Sequence, residues 1–525
     1  MNRESNIGIS SKFNPWKPPS VSPLLTDPLS FESDAIILTC FEKEAFTELL
    51  ARVDGLMGGS VSSASKEEKF SGKEGKIIVV RTDGKIKPKR LIVIGLGSRE
   101  EFNKDKNEKI RRISSIALKK ARSINCKSVI ASVIEPQDVK PFCEGALLGT
   151  YKFKKYKKEN NEKGDEDTQA EVEAETELEN IYLIKPDGEF TEDETNKVLS
   201  DIDYSYLLCN CVNLSRSLVN EPGNVINPST LSEISHTIAD DLGLSCEILD
   251  LPQLKKMGMG GVIAVGQGSS VTPKFIHISY IPEKPKDKIA IIGKGITFDS
   301  GGLSLKPANH ITHMKTDKAG ACTVLSAMIF IARYKPDVEV HCIVAACENM
   351  PSGTAQRPDD IIKMMDGKTV EVVNTDAEGR LTLADAISFA CKLGVNKIID
   401  LATLTGACVV ALGEHTAGVM GNDEEFIDTI IKTSKKTGER MWYLPFDKDM
   451  EDKLKSDVAD LKNVGDGYGG AITAGMFLEK FVKDGIKWVH IDIAGPSFTE
   501  KGWGYNPKGG TGFGLRTVVE YIMSI

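Results

Sequence analysis

Ile289-Ala-Ile-Ile-Gly-Lys-Gly-Ile-Thr-Phe-Asp-Ser-Gly-Gly302 sets an apolar run directly against a glycine-rich segment that carries a lysine and an aspartate. The run Ile289–Gly293 is nearly continuous in apolar residues, which predicts a strand covered on both faces. Val338–Ala346, Lys397–Ala402 and Trp488–Ala494 have the same character, and segments of helical pattern separate them. Among these, Leu383, Ala384, Ile387, Ala390 and Cys391 fall on one helical face. The expected architecture of this half is a central mixed sheet flanked by helices, with ligands held beyond the strand ends by loops. Two such loops stand out: Gly293–Lys306, followed by Met314-Lys-Thr-Asp317, and Asn374-Thr-Asp-Ala-Glu-Gly-Arg380, which leads into a helix.

Upstream, Ala35–Thr39, Lys76–Val80 and Leu91–Gly95 read as strands and Lys109–Ala121 as a helix, so a smaller α/β domain is expected to come first. Gly95-Leu-Gly97 follows a strand, but Glu100 stands where a dinucleotide fingerprint needs its third glycine. A tight strand-to-helix turn is the better reading. Residues 152–158 carry five lysines, and residues 159–179 carry ten carboxylates and one lysine. Such a block cannot bury enough apolar surface to offset its ordering entropy. The stretch at about 152–180 is therefore read as a flexible surface insertion, with a docking segment for a charged partner as the alternative. Ile181–Ile184 is a short strand, and residues 191–220 read as a linking helix. The expected domains are 1–190, with the insertion, and 191–525.

The 525 residues are 41% hydrophobic and 27% charged, an ordinary globular composition. The net charge of −9 disfavours nucleic acid as the main partner. No apolar run reaches the ~18–20 residues that span a bilayer, and the first residues lack the apolar core of a secretory signal. The eleven cysteines are scattered, without a CxxC pair. This pattern predicts reduced, buried thiols in a cytoplasmic chain and no thiolate zinc site.

Asp299, Asp317, Asp376 and Glu378 all lie in or beside the glycine-rich segments. Asp376 and Glu378 are two apart, so an extended segment would aim both to one side. Singly, an Asp in such a turn is a turn residue. Jointly, four carboxylates converging on one point repel unless cations compensate, and a pair of hard divalent ions about 3.5–4 Å apart is a common hydrolytic solution. Lys294, Lys306 and Arg380 lie in the same segments. A metal ligand must offer a lone pair, so Lys294 can coordinate only as a neutral amine. Lys306 would stay protonated and polarise a carbonyl, and Arg380 presents a planar fork for a carboxylate-shaped anion.

Asn374-Thr-Asp-Ala-Glu-Gly-Arg-Leu381 and Gly293–Gly302 resemble the two hallmark motifs of the leucyl aminopeptidase (cytosol aminopeptidase) family of two-metal exopeptidases. Leu218-Val-Asn-Glu-Pro-Gly-Asn224, Ala402-Thr-Leu-Thr-Gly-Ala407, Ile491-Asp-Ile-Ala-Gly495 and Gly512-Phe-Gly-Leu-Arg-Thr517 are similar to it as well, so the resemblance covers about residues 205–525. It implies one metal on Lys294, Asp299, Asp317 and Glu378, and a second on Asp299, Asp376 and Glu378. The ions would be Zn²⁺ or Mn²⁺, with Mg²⁺ and Co²⁺ also compatible. Lys306 and Arg380 would be the catalytic pair. Arg380, Ala377, Gly379 and Leu381 would hold a bicarbonate that shuttles protons. Substrate would meet Lys306, Asp317, Met314, Thr403, Leu404, Gly406 and Ala494, with Leu or Met preferred as the N-terminal residue. The partners implied are short peptides with a free N-terminus and further copies of the chain in a homohexamer, a dimer of trimers. Four carboxylates, two dications, a hydroxide and the Lys306 ammonium balance only if Lys294 is neutral. A catalytically silent scaffold or DNA-binding regulator is the competing class, and the complete set of site residues argues against it.

His310 and His313 form a pair with no accompanying third ligand, so a loop role is preferred to a zinc site. Ser300 and Ser304 lack a histidine partner nearby in sequence, which disfavours covalent catalysis.

Overall fold

The computed structural model describes Phe13 and residues 16–157, 176–186 and 190–525. Most of the charged block at 152–180 lies outside the described residues. The chain is a mixed α/β protein in two compact units. One comprises Cys211–Glu500 and Lys508–Ile525; the other comprises the described residues of Pro15–Asn210 with Lys501–Pro507.

In the smaller unit six strands, β1 (Ser20–Pro23), β2 (Ala35–Cys40), β3 (Ile77–Arg81), β4 (Arg90–Gly95), β5 (Ser128–Ser132) and β6 (Asn180–Ile184), form one sheet in the order β1-β6-β5-β2-β4-β3. Only the β3–β4 pairing is antiparallel. After β4 the chain turns through Gly97 and enters the helix Arg99–Lys104, capped by the Ser98 hydroxyl, which accepts from Glu101 N. The helices Lys106–Ser123 and Val139–Gly149 pack through glycine. A Cβ on Gly145 would fall 2.0 Å from the Arg111 carbonyl oxygen.

The larger unit is built on eight strands: β7 (Ser245–Leu249), β8 (Lys274–Tyr280), β9 (Asp287–Asp299), β10 (Val338–Asn349), β13 (Lys397–Ala402), β14 (Ala417–Gly421), β15 (Met441–Tyr443) and β17 (Lys487–Asp492). Their order is β15-β14-β17-β13-β9-β10-β8-β7. The four central strands β17, β13, β9 and β10 are mutually parallel, and antiparallel pairings occur only outside them. A separate small sheet of β11 (Ile361–Lys363), β12 (Thr369–Glu371) and β16 (Leu461–Lys462) lies beside the Asn374 turn in sequence. The helix Gly379–Lys392 is buried from Gly379 to Ala390, and its Leu381, Ala384 and Ile387 share a core with Ala290 and Ile292 of β9. Burial on this scale is what turns a helix apolar nearly all round. All eleven cysteines are free, and nine are buried. Among the described residues no helix is long and apolar enough to cross a membrane.

The structure corrects the reading of Gly293–Lys306 as a loop from its first residue. β9 continues in parallel register with β10 as far as Asp299. Gly293 and Gly295 are strand residues, required by close approach rather than by a turn: a Cβ on Gly293 would lie 2.5 Å from the Gly320 backbone. The helix Ala319–Tyr334 passes there, and Gly320 itself admits the Leu401 carbonyl oxygen, which a Cβ would meet at 2.0 Å.

Candidate metal centre and active site

Lys294 and Asp299 both sit on β9, five residues apart. In a regular strand an odd separation sends two side chains to opposite faces. Between the pairs Ile296–Cys347 and Phe298–Glu348, however, the register slips by one residue. The bulge leaves Thr297 without a partner residue and re-aims the strand end, as bulges near functional sites do. Asp299 can then approach the cluster that Lys294 enters.

Beyond β9 the chain reverses at Gly301 (φ 87°) and Gly302 (φ 64°). A Cβ on Gly301 would strike the Ser304 carbonyl oxygen at 2.4 Å and Asp376 Oδ1 at 2.9 Å. Gly301 N and Asn349 Nδ2 each donate to Asp299 Oδ1 at 2.9 Å. The second motif is the expected loop and is not extended, so an extended segment is not what aims Asp376 and Glu378. It is a turn in which Asn374 Oδ1 accepts from Asp376 N at 2.8 Å, and Glu378 occupies the position just before the helix Gly379–Lys392. Two reciprocal bonds stitch the turns together: Ser304 N to Thr375 Oγ1 at 2.8 Å and Thr375 N to Ser304 Oγ at 3.1 Å. Thr375 Oγ1 also donates to Gly301 O at 2.7 Å.

The carboxylates therefore meet. Ligand oxygens of Asp299, Asp376 and Glu378 lie within 4.8 Å of one another, the single such group among the described residues. Asp317 joins through Lys294, whose Nζ lies 2.8 Å from Asp317 Oδ1, 2.9 Å from Glu378 Oε1 and 3.0 Å from the Thr403 carbonyl oxygen. Lys306 Nζ lies 2.8 Å from Asp299 Oδ2 and 2.5 Å from Asp376 Oδ1. Burial alone would push both ammonium groups down. Asp317, Glu378 and Asp299 around Lys294, and Asp299 and Glu378 around Lys306, outweigh it and hold both well above the ordinary lysine range. Burial raises the Asp317 and Glu378 carboxyls, and the Asp299 charge raises them further. Asp376 is raised by the same two causes.

The donor set fits divalent cations. Asp317 Oδ2 is buried without a hydrogen bond, and the buried Asp376 Oδ1 and Glu378 Oε1 each face a lysine ammonium and no neutral donor. Carboxylate oxygens left under-coordinated at one point are what a hard cation takes as ligands. Lys294 can join them as a ligand only after losing its proton.

Around this cluster Thr403 Oγ1 donates to Asp317 Oδ1 at 2.7 Å. Leu404 N and Ala494 N both donate to Asp492 Oδ1, at 3.2 and 3.1 Å. Met314 is half-buried and opens the 3₁₀ turn that carries Asp317, while Gly406 is exposed at the start of the helix Gly406–Leu412. Arg380 Nη1 donates to Asn463 O at 2.8 Å, its Nε is buried without a hydrogen bond, and burial pushes its guanidinium down to about 10. Ala377 and Gly379 are buried beside it in sequence. Leu381 is a core side chain whose N–H donates to Glu378 O at 3.0 Å.

Profiles of the cytosol aminopeptidase family match twice, the catalytic domain at residues 213–519 and the N-terminal domain at residues 37–160. The chain belongs to the cytosol aminopeptidase family. It is 47% identical to the probable cytosol aminopeptidase of Persephonella marina, over 90% of this chain and 93% of that one. The corresponding Aquifex aeolicus protein is 46% identical over 92% and 94%. A solved tomato leucine aminopeptidase variant superposes with a TM-score of 0.83 at 34% identity, covering 97% of both chains. The bottromycin maturation enzyme BotP, solved in complex with Mn, gives 0.79 at 26% identity over 94% of this chain and 99% of that one. The chain is thus an aminopeptidase, a hydrolase of a metal-dependent family.

Several residues of the site escaped the sequence reading. Asn349 Nδ2 also donates to Thr375 O at 3.0 Å and so ties Asp299 to the second turn. Asn463 Oδ1 accepts from Val373 N at 2.8 Å, and its Nδ2 donates to Asn374 O at 2.7 Å. Both asparagines lie outside the motifs. Asp492 lies inside the motif Ile491–Gly495. His310 is exposed, and His313 lies tilted against Phe498 with ring centroids 5.0 Å apart. Ser300 Oγ donates to Asn349 O at 2.7 Å, and Ser304 Oγ accepts from Thr375 N.

Proposed function

We propose that the chain releases the N-terminal residue, Leu- or Met-like by preference, from short peptides. Residues 191–525 form the catalytic domain in this reading. Lys294, Asp299, Asp317 and Glu378 hold one divalent ion, and Asp299, Asp376 and Glu378 hold the other. The observation that carries it is the meeting of Asp299, Asp376 and Glu378 with two lysines where hydrogen bonds join the two turns. Bound there, two divalent ions supply Lewis acidity that polarises a carbonyl and acidifies water. Zn²⁺, Mn²⁺, Mg²⁺ and Co²⁺ all suit a carboxylate-rich set.

The protein's own groups do the rest. Asp317 Oδ2, buried and without a hydrogen bond, is available to the substrate's amino terminus. Lys306, partly exposed at 15% and kept protonated by Asp299 and Glu378, donates to the scissile carbonyl oxygen as negative charge develops. The Ser300 hydroxyl is committed to Asn349 O, and neither Ser300 nor Ser304 has a histidine partner among the described residues. With no histidine in the cluster to take a proton, Arg380 is read as the holder of a bicarbonate base, beside the backbone of Ala377, Gly379 and Leu381. Met314, Thr403, Leu404, Gly406 and Ala494 form the pocket for the first side chain. A cytoplasmic homohexamer is the matching assembly. Val410, Trp442 and Tyr468, all more than half exposed, are the kind of apolar surface that self-association covers.

The test is Lys306→Ala, read by elemental analysis and by turnover of a leucyl amide. Two divalent ions per chain with turnover abolished is the expected result. Unchanged hydrolysis refutes the role of Lys306, and an active enzyme that holds no metal refutes the centre.

A further inference from the structure

A line of buried polar groups runs beneath the site and takes no part in the chemistry above. Trp488, His490 and Asp492 alternate along β17 and so share one face. Asp400 of β13 lies directly opposite His490 in the parallel register. Trp488 Nε1 donates to Asp400 Oδ2 at 2.7 Å, and His490 Nδ1 lies 2.5 Å from Asp400 Oδ1. All four side chains are fully buried. The Asp492 carboxylate is then spent on the strand-end loop: Oδ1 accepts from Leu404 N and Ala494 N, and Oδ2 accepts from Thr405 Oγ1 at 2.7 Å. Thr405 in turn caps the helix Gly406–Leu412 by accepting from Cys408 N at 3.0 Å.

Two buried carboxylates on one sheet face need a cation between them. His490 is placed for that. Asp400 fixes its Nδ1–H, and its Nε2 is buried without a hydrogen bond, two residues before Asp492 on the same face. Arg380 is the other cation whose field reaches this face. We propose that His490 is a positioning residue: as an imidazolium clamped by Asp400 it neutralises Asp492, and Asp492 in turn sets the backbone at Leu404 and Ala494 that shapes the substrate pocket. Burial opposes the charge on His490, and Asp400 and Asp492 favour it. The inference rests on the reading of Leu404 and Ala494 as pocket residues.

The experiment is a double-mutant cycle on the metal-loaded enzyme, with His490→Gln, Asp492→Asn and both together. It is read as kcat and KM on a leucyl amide, and as metal content. His490→Gln leaves Asp492 buried and uncompensated. KM should rise about tenfold, within the coupling range of interacting buried pairs, while kcat changes little and two ions stay bound. The double variant should recover most of that loss, because the charge that needed compensation is gone. Additive losses, or a fall in kcat and metal content at unchanged KM, overturn the proposal. If His490→Gln does not fold, Asp400→Asn keeps the shape and removes the carboxylate that holds the proton; a similar KM rise supports the proposal and an unchanged KM overturns it. Met314→Ala tests the pocket reading separately. Equal losses on leucyl and aspartyl substrates overturn that reading and this inference with it, whereas a leucyl-selective loss beside an additive cycle overturns the inference alone.

Discussion

Gly379→Ala sets two physical effects against each other. The residue opens a helix and has no positive φ, so intrinsic propensity and unfolded-chain entropy predict a gain of about 0.4–1 kcal/mol from alanine. The site predicts the reverse. A Cβ there would lie 2.3 Å from Lys294 Cε, 2.7 Å from its Nζ and 2.9 Å from its Cδ. Ordinary contact begins near 3.4 Å, so the lysine tip must retreat by about 1 Å. The end of a flexible side chain yields easily at a surface, but Lys294 is only 4% exposed and is held by Asp317, Glu378 and the Thr403 carbonyl oxygen. Overpacking of this kind costs roughly 1–3 kcal/mol, which the propensity gain partly offsets. The net change in stability should therefore be small. The change at the site should not be, since a misplacement of about 1 Å in a reacting constellation costs on the order of 10²-fold in rate. The variant should melt within a few degrees of the parent, bind fewer than two divalent ions per chain, and lose at least about 100-fold in kcat/KM on a leucyl amide. Elemental analysis and steady-state kinetics on the same preparation decide it. A variant with two ions, parental turnover and a raised melting temperature would show that Lys294 has room to move and that its placement does not govern the centre.

Other perturbations probe separate parts of the structure. Asn463→Ala removes the clamp on the Asn374 turn and should lower kcat/KM about 10- to 100-fold with secondary structure intact by circular dichroism; parental kinetics would make the clamp dispensable. Met314→Ala should cut activity on leucyl substrates more than on aspartyl ones, by roughly tenfold for a lost apolar wall; equal losses reject the pocket role. His277 accepts or donates at 2.9 Å to His341, and burial first, then His341 and Lys288, push it down to about 4. Its lowered folded-state value makes the unfolded chain the better proton binder, so its stability contribution is full above about pH 6.5 and is lost as pH falls through about 4, by at most roughly 3 kcal/mol. In urea titrations from pH 7 to 4 the parent should lose more stability than His277→Gln, and parallel curves would remove His277 from the acid response.

The sequence carried the central sheet and both site segments because each rests on local signals. β9, β10, β13 and β17 are covered on both faces, so their apolar runs are unbroken, and the turns announce themselves by glycine beside acid. Two features of those segments were not legible for one reason. The segment from Gly293, expected as a loop, is strand as far as Asp299, and Asp376 and Glu378 are aimed by a turn rather than by an extended segment, because glycine and asparagine signal several conformations. Which one is realised depends on what packs against them. At Gly293 it is the backbone of Gly320, 27 residues on, and at Asn374 it is Asn463, just past β16. Neither neighbour can be read from a window of ten residues. The bulge at Thr297 is the sharpest case, since it reverses the facing of Asp299 and leaves no mark in composition.

The same distinction explains which site residues were legible. Carboxylates and lysines were found because charge in a glycine-rich turn needs an explanation. Asn349, Asn463 and Asp492 were missed because a neutral amide, or an acid satisfied by backbone N–H groups, needs none until its partners are known. Yet these three hold the geometry. Asn349 joins Asp299 to Thr375, Asn463 joins the Asn374 turn to Arg380, and Asp492 joins Leu404 to Ala494. Each bridges segments that meet only in the folded chain, so each bond depends on the sheet being in register. Lys294 shows the consequence. Its pairing with Asp317 and Glu378 brings a strand, a 3₁₀ turn and a helix start to one point. A lysine so placed balances the carboxylates as an ammonium, and can bind a cation as an amine once a stronger charge takes over that task. The fold therefore assembles the carboxylate cluster with its own cations, and in the proposed reading divalent ions would meet a site already drawn together.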